Sequence, residues 1–101
     1  ITSALLGELL DEFLLVSENE IESAVALLLQ IEKTVVEGAG AAGLAAVLAH
    51  PHIFAGQKVG IVLTGGNIDT RLLANVLLRD LARAGRLARL RLVLQDRPGS
   101  L

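Results

Sequence analysis

The apolar run Lys-Val-Gly-Ile-Val-Leu at 58–63, followed at once by Thr64-Gly65-Gly66-Asn67, constrains the fold more than any other stretch of this chain. A nearly continuous apolar run suits a parallel strand covered on both faces. The loop then turns the chain. Asp69 or Thr70 is placed to cap a helix reaching about Ala84, with Leu72, Leu73, Val76, Leu77 and Leu81 on its inner side. Gly85 suits its C-terminal stop.

The rest of the chain reads in the same alternating way. Leu5, Leu6, Leu9 and Leu10 have helical spacing over Ser3 to about Glu12, and Phe13-Leu14-Leu15-Val16 reads as a short buried strand. Ser17 with Glu20 forms a capping box, opening a helix that carries Ile21, Val25, Leu28 and Ile31. Thr34-Val35-Val36 is a brief extended stretch. Gly38 to Ala49 is a helix of almost wholly small residues, in which Gly40 and Gly43 are expected to admit another backbone or a ligand. His50-Pro51 ends it, and Gly56-Gln57 turns. Residues 86–95 alternate as a strand, with Leu90, Leu92 and Leu94 on one face, and Asp96-Arg97-Pro98-Gly99 is a turn. The order predicts an α/β fold: a partial layered parallel sheet flanked by helices.

Composition excludes several functions. There is no cysteine, so disulfides and thiolate metal sites are ruled out. The net charge is −2 and the only aromatics are Phe13 and Phe54, which leaves no platform for stacking bases, so no nucleic-acid partner is expected. The arginines concentrated at 71–97 read as a solvated helix face followed by a strand face. No stretch approaches the ~20 apolar residues of a membrane span, so no membrane partner is expected. His50 and His52 flank a proline and make a poor metal site, so no metal is expected. Apolar residues make up 52% of only 101 residues, and small chains have large surfaces. The chain is therefore expected to oligomerise or to be a piece of a larger core. The absence of methionine favours the piece.

Two glycine-rich turns are candidates for chemistry. Gly38-Ala39-Gly40-Ala41-Ala42-Gly43 matches GxGxxG, but Glu37 stands where an anionic phosphate would be repelled, and no acid ends the next strand about 20 residues on. A small-residue helix packed tightly on the sheet is the better reading. Thr64-Gly65-Gly66-Asn67 follows a strand at the end where open α/β sheets bind ligands, with a hydroxyl that donates and accepts. An ordinary connecting loop is the alternative.

Four motifs occur in order: Val-Ser-Glu-x-Glu-Ile at 16–21, Val-Val-Glu-Gly-Ala-Gly-Ala-Ala at 35–42, Val-Leu-Thr-Gly-Gly-Asn-Ile-Asp at 62–69 and Asp-Arg-Pro-Gly-Ser-Leu at 96–101. Together they make the chain resemble the C-terminal part of the catalytic domain of the threonine/serine dehydratases (ammonia-lyases), pyridoxal-phosphate (PLP) enzymes of the tryptophan-synthase-β-like fold type II. The resemblance implies that residues 1–95 are the C-terminal portion of that domain and 96–101 the start of a linker or ACT-like regulatory region. It implies a lyase of amino-acid metabolism, in isoleucine biosynthesis or threonine catabolism, that is cytoplasmic and homo-oligomeric and removes water from L-threonine or L-serine. A serine racemase or related lyase of the same fold, and a non-catalytic folding or association module, are the alternatives.

By the same resemblance Thr64 takes the position that hydrogen-bonds the pyridine nitrogen of PLP, a departure from the usual serine or cysteine that keeps the hydroxyl. Glu37 matches a glutamate near the ring, with a buried or helix-capping carboxylate as the competing role. Gly65, Gly66 and Asn67 would wall the ring. The family's Schiff-base lysine lies in a Ser-Phe-Lys-type motif, and neither Lys33 nor Lys58 matches it. The family's phosphate-cradling glycine loop and metal-binding carboxylates are also absent. The partner expected is thus the N-terminal part of the same enzyme, and no catalytic residue is assigned within these 101 residues.

Overall fold

A computed structural model describes residues 1–99. The helices are α1 (Thr2–Leu9), α2 (Glu18–Leu27), α3 (Gly38–Ala49), α4 (Pro51–Phe54) and α5 (Thr70–Arg83), with a π-helical turn at Leu28–Glu32 prolonging α2.

Local chemistry places the helix ends. Ser17 and Glu20 exchange the two hydrogen bonds of a capping box, Glu20 N–H to Ser17 Oγ at 3.2 Å and Ser17 N–H to Glu20 Oε2 at 2.9 Å. The Asp69 carboxylate caps α5 by accepting from Leu72 N–H at 3.0 Å. At the other end of α5, Gly85 takes φ 72°, its N–H donating to the Ala82 carbonyl and that of Arg86 to Leu81. These are the two bonds of a Schellman motif, and the left-handed conformation is why glycine stands there. Pro51 ends α3 and also starts α4, where its missing N–H costs nothing.

The expected parallel sheet is not there. Segments 13–16, 34–36, 58–63 and 86–95 run as unpaired chain, and the described residues contain no strand. The α/β layered fold is therefore corrected to a helical one. A strand exists only through a neighbour about 5 Å away that takes its N–H and C=O groups. Periodicity along one segment says which faces would be covered, not that a covering neighbour is present. Much of the apolar surface that suggested burial is open: Val62 is 83% exposed, Leu90 82% and Val93 91%. The molecule is accordingly long, 70 × 32 × 24 Å, with a radius of gyration of 19.1 Å, against about 13 Å for a compact domain of this length.

The core is small and lies where α2, α3 and α5 meet. It comprises Ala24, Val25 and Leu28 from α2 and its π turn, Val36, Ala41 and Ala45 from α3 and its approach, and Val76 from α5. Val16, Ile21, Leu44 and Leu73 pack around it. The inner face expected of α5 is narrower than its sequence pattern: Val76 is buried, whereas Leu72 is half exposed. α1 buries nothing.

An ion-pair cluster clamps α5 to α2. Arg79 Nε lies 2.9 and 3.1 Å from the two Glu22 carboxylate oxygens and its Nη2 2.8 Å from Oε1, while Arg83 Nη1 lies 2.9 Å from Oε2. These two arginines are thus engaged, not free on a solvated face. Hydrogen bonding to Arg79 first, and then to Arg83, holds the Glu22 carboxyl below the ordinary carboxylate range despite some desolvation. Glu22→Gln should lower stability by about 1 kcal/mol at neutral pH, since charge-assisted forked pairs exceed ordinary surface bridges. The lowered value fixes the pH window. Glu22 protonates more readily in the unfolded chain, so the contribution is complete above the unfolded pKa of about 4.3 and disappears as pH falls through the folded value. Thermal unfolding from pH 7 down to 3 should show the gap between the native chain and Glu22→Gln closing at the acid end.

Candidate functional site

The two glycine-rich motifs meet. Glu37 is the N-cap residue of α3, and its backbone N–H donates to the Gly65 carbonyl at 2.5 Å. Gly65 has φ +71°, and the Glu37 carboxylate stands where a β-carbon of residue 65 would be, with its Cδ 2.5 Å from that position. Two separate constraints therefore require glycine at 65: the left-handed backbone, and the side chain occupying the space. Gly66 lies close to the segment leading into α3, where an added β-carbon would be 3.4 Å from the Val35 carbonyl oxygen.

Thr64 touches α3 one turn further along. Gly40 is buried, and a β-carbon there would collide with the Thr64 carbonyl oxygen and stand 2.8 Å from its carbon. The close approach expected at Gly40 is thus that of the Thr64 backbone. At Gly43 the neighbour is Ile61 Cγ2, 2.8 Å from the added β-carbon. α3 is contacted on two sides, since Ala41 and Ala45 face the core with no exposure. This explains a helix of almost nothing but small residues.

Glu37, Thr64, Gly65 and Gly66 therefore form one cluster. Asn67 follows it in the loop and is exposed. Of the roles weighed for Glu37, helix capping is not used: its side chain makes no cap hydrogen bond, although it is the N-cap residue. Thr64 is exposed, and its hydroxyl takes part in none of the side-chain hydrogen bonds among the described residues. A neutral hydroxyl without a partner among the described residues, on the residue preceding the glycine that meets a half-buried carboxylate, fits the ring side of a PLP molecule. Lys33 and Lys58 are both exposed, and the Lys33 ammonium donates to the Gln30 carbonyl at 2.6 Å. His50 Nε2 stands 3.2 Å from the Leu15 carbonyl oxygen, a hydrogen-bonding distance when that nitrogen carries the proton. No group of three or more potential metal ligands occurs among the described residues.

The family model for "pyridoxal-phosphate dependent enzyme" matches residues 1–65, which includes Glu37, Thr64 and Gly65. The chain belongs to this PLP-dependent enzyme family. Curated relatives agree over a longer stretch. The chain is 41% identical over 101 residues, all of its length, to an L-threonine ammonia-lyase of Thermotoga maritima, covering 25% of that protein. It is 43% identical over 100 residues, 99% of its length, to an L-threonine ammonia-lyase of Geobacter sulfurreducens, again covering 25%. An L-threo-3-hydroxyaspartate ammonia-lyase of a Pseudomonas species is 38% identical over 76 residues, with 75% of the chain and 24% of that protein aligned. The chain thus spans about a quarter of the length of the curated relatives it matches. No solved structure matches it. No helix among the described residues is long and apolar enough to cross a membrane.

The Glu22–Arg79–Arg83 cluster escaped the reading of the sequence. Arg79 and Arg83 share a helix face, but nothing local points from them to a glutamate 57 residues earlier.

Proposed function

We propose that this chain supplies the ring-binding half of the PLP site in a threonine/serine ammonia-lyase. The observation that carries the reading is the convergence of Glu37 on Gly65, the residue that follows Thr64, whose own backbone lies on Gly40. The names of the relatives support the reaction class. The substrate is L-threonine or L-serine. Its α-proton and β-hydroxyl leave as water, and hydrolysis of the product gives a 2-oxo acid and ammonia. PLP, when bound, supplies the electron sink that makes the α-proton acidic.

Thr64 Oγ1 holds the pyridine nitrogen through a neutral hydrogen bond. Unlike a carboxylate, a hydroxyl does not draw a full positive charge onto that nitrogen, which suits elimination better than transamination. Glu37 sets the electrostatics on the ring's edge. Gly65, Gly66 and Asn67 form the wall beside it. The lysine that anchors the cofactor and the groups that bind substrate carboxylate belong to the part of the enzyme outside residues 1–101, with which this chain acts in a cytoplasmic homo-oligomer. Residues 1–95 are its share of the catalytic domain. Residues 96–101 begin a linker or regulatory region, of which 100 and 101 lie outside the described residues.

The test compares two preparations. The full-length protein, expressed with every residue encoded in frame on either side of these 101, should release 2-oxobutyrate from L-threonine and show the visible absorbance of bound PLP. The 101 residues alone should do neither. Turnover by the 101 residues alone would refute the shared site, and a PLP-loaded full-length protein inert towards both L-threonine and L-serine would refute the lyase.

A further inference from the structure

Gly40 and Gly43 stand at one face of α3 with Glu37, three residues apart in each case, and each meets the loop segment at a different point. Glu37 meets Gly65, Gly40 meets Thr64, and Gly43 meets Ile61. The segment therefore runs down the helix face as the helix runs up, touching it over two turns. We infer that Gly40 and Gly43 form a seat that sets the position of Thr64, making Gly40 a positioning residue of the cofactor site. This deepens the reading of Thr64 as a PLP contact and rests on it.

The seat has no slack on the helix side. The other face of α3 packs on α2 through Ala41 and Ala45, both fully buried, so α3 cannot retreat from a larger residue at 40. Nor can the loop yield locally. The atoms facing Gly40 are backbone: the carbonyl oxygen of Thr64, its carbon at 2.8 Å and its nitrogen at 3.2 Å from the position of an added β-carbon. Backbone atoms have no rotamer to change. A methyl group at 40 displaces residue 64 itself, and the hydroxyl travels with it. At Gly43 the opposing atom is Ile61 Cγ2, a side-chain methyl that a second substitution can remove.

Helix propensity predicts the opposite sign. Alanine is a better helix former than glycine, so in a helix without such contacts Gly40→Ala and Gly43→Ala would both stabilise. A loss at these positions therefore reports the contact with the loop.

The experiment uses the full-length protein stripped of cofactor and titrated with PLP, following absorbance, alongside kcat and KM for L-threonine and helical circular dichroism. The variants are Gly40→Ala, Gly43→Ala, Ile61→Ala, the pair Gly43→Ala with Ile61→Ala, and Thr64→Val. Gly40→Ala should keep its helical signal, weaken PLP binding by about tenfold or more, and shift the absorbance of bound PLP. Gly43→Ala should weaken binding less, and Ile61→Ala should restore it. If Thr64→Val weakens binding while Gly40→Ala binds PLP as the native protein does, the seat is wrong and the site reading stands. If Thr64→Val itself changes nothing, the site reading fails and the seat falls with it. Should Gly40→Ala not fold, the Gly43 pair decides: loss restored by Ile61→Ala supports the seat, and unchanged binding or unrestored loss overturns it.

Discussion

Thr64→Val in the full-length protein should lower kcat/KM for L-threonine by about ten- to a hundredfold while leaving the fold intact. Valine matches threonine in shape, so what is lost is the hydroxyl alone. Removing one partner of a hydrogen bond and leaving the other unsatisfied costs about 1–3 kcal/mol, and each 1.4 kcal/mol is a factor of ten. The hydroxyl makes no hydrogen bond among the described residues, so its removal should leave stability nearly unchanged. Thr64→Ser should keep most of the activity. Steady-state kinetics on the three proteins, with melting temperatures as the control, checks this. Equal activity in Thr64→Val would remove the ring contact from the proposal.

Ala45→Leu should have the largest effect on stability. Ala24, Ala41 and Ala45 have no exposed surface and form the contact where α2 crosses α3. Three more carbons there force the helices apart or push the leucine off its rotamers, at about 1–3 kcal/mol. With α3 held on its far side by Thr64 and Ile61, relief is poor, and the upper end of that range is expected. For a chain of about this size each kcal/mol lowers the melting temperature by roughly 4–8 °C, so a fall on the order of 10 °C or more should appear by circular dichroism. Leu48→Ala, on the same helix but half exposed, should cost much less. Equal losses in the two variants would mean that the Ala45 contact is not tight.

What the sequence disclosed and what it withheld divide along the range of the interaction. The Ser17–Glu20 box, the Asp69 cap and the Gly85 stop each lie within three residues of their partners or depend on one residue's own φ, and all three stand where the pattern put them. So does α3, whose small residues already implied close neighbours. The sheet failed because pairing is non-local: the alternation at 86–95 is real in sequence, yet nothing among the described residues pairs with it and Leu90 faces solvent. The resemblance put Glu37 and Gly65 near one ring, while their direct contact, and the use of Gly40 against the Thr64 backbone, needed coordinates. Arg79 looked like one more solvated charge because its partner is remote.

That remoteness also sets an order of assembly. Ala24 and Ala41 join the same core cluster across a short span, whereas Glu22 and Arg79 close 57 residues. The longer closure costs about 1 kcal/mol more in chain entropy. The α2–α3 pair should thus form early, with α5 docking afterwards. Substitutions at Ala24 or Ala41 should chiefly slow refolding, and Glu22→Gln should chiefly speed unfolding. The loop bearing Thr64 meets Gly40 of α3 across only 24 residues, so by the same argument the cofactor half-site should close with the α2–α3 pair, before α5 docks.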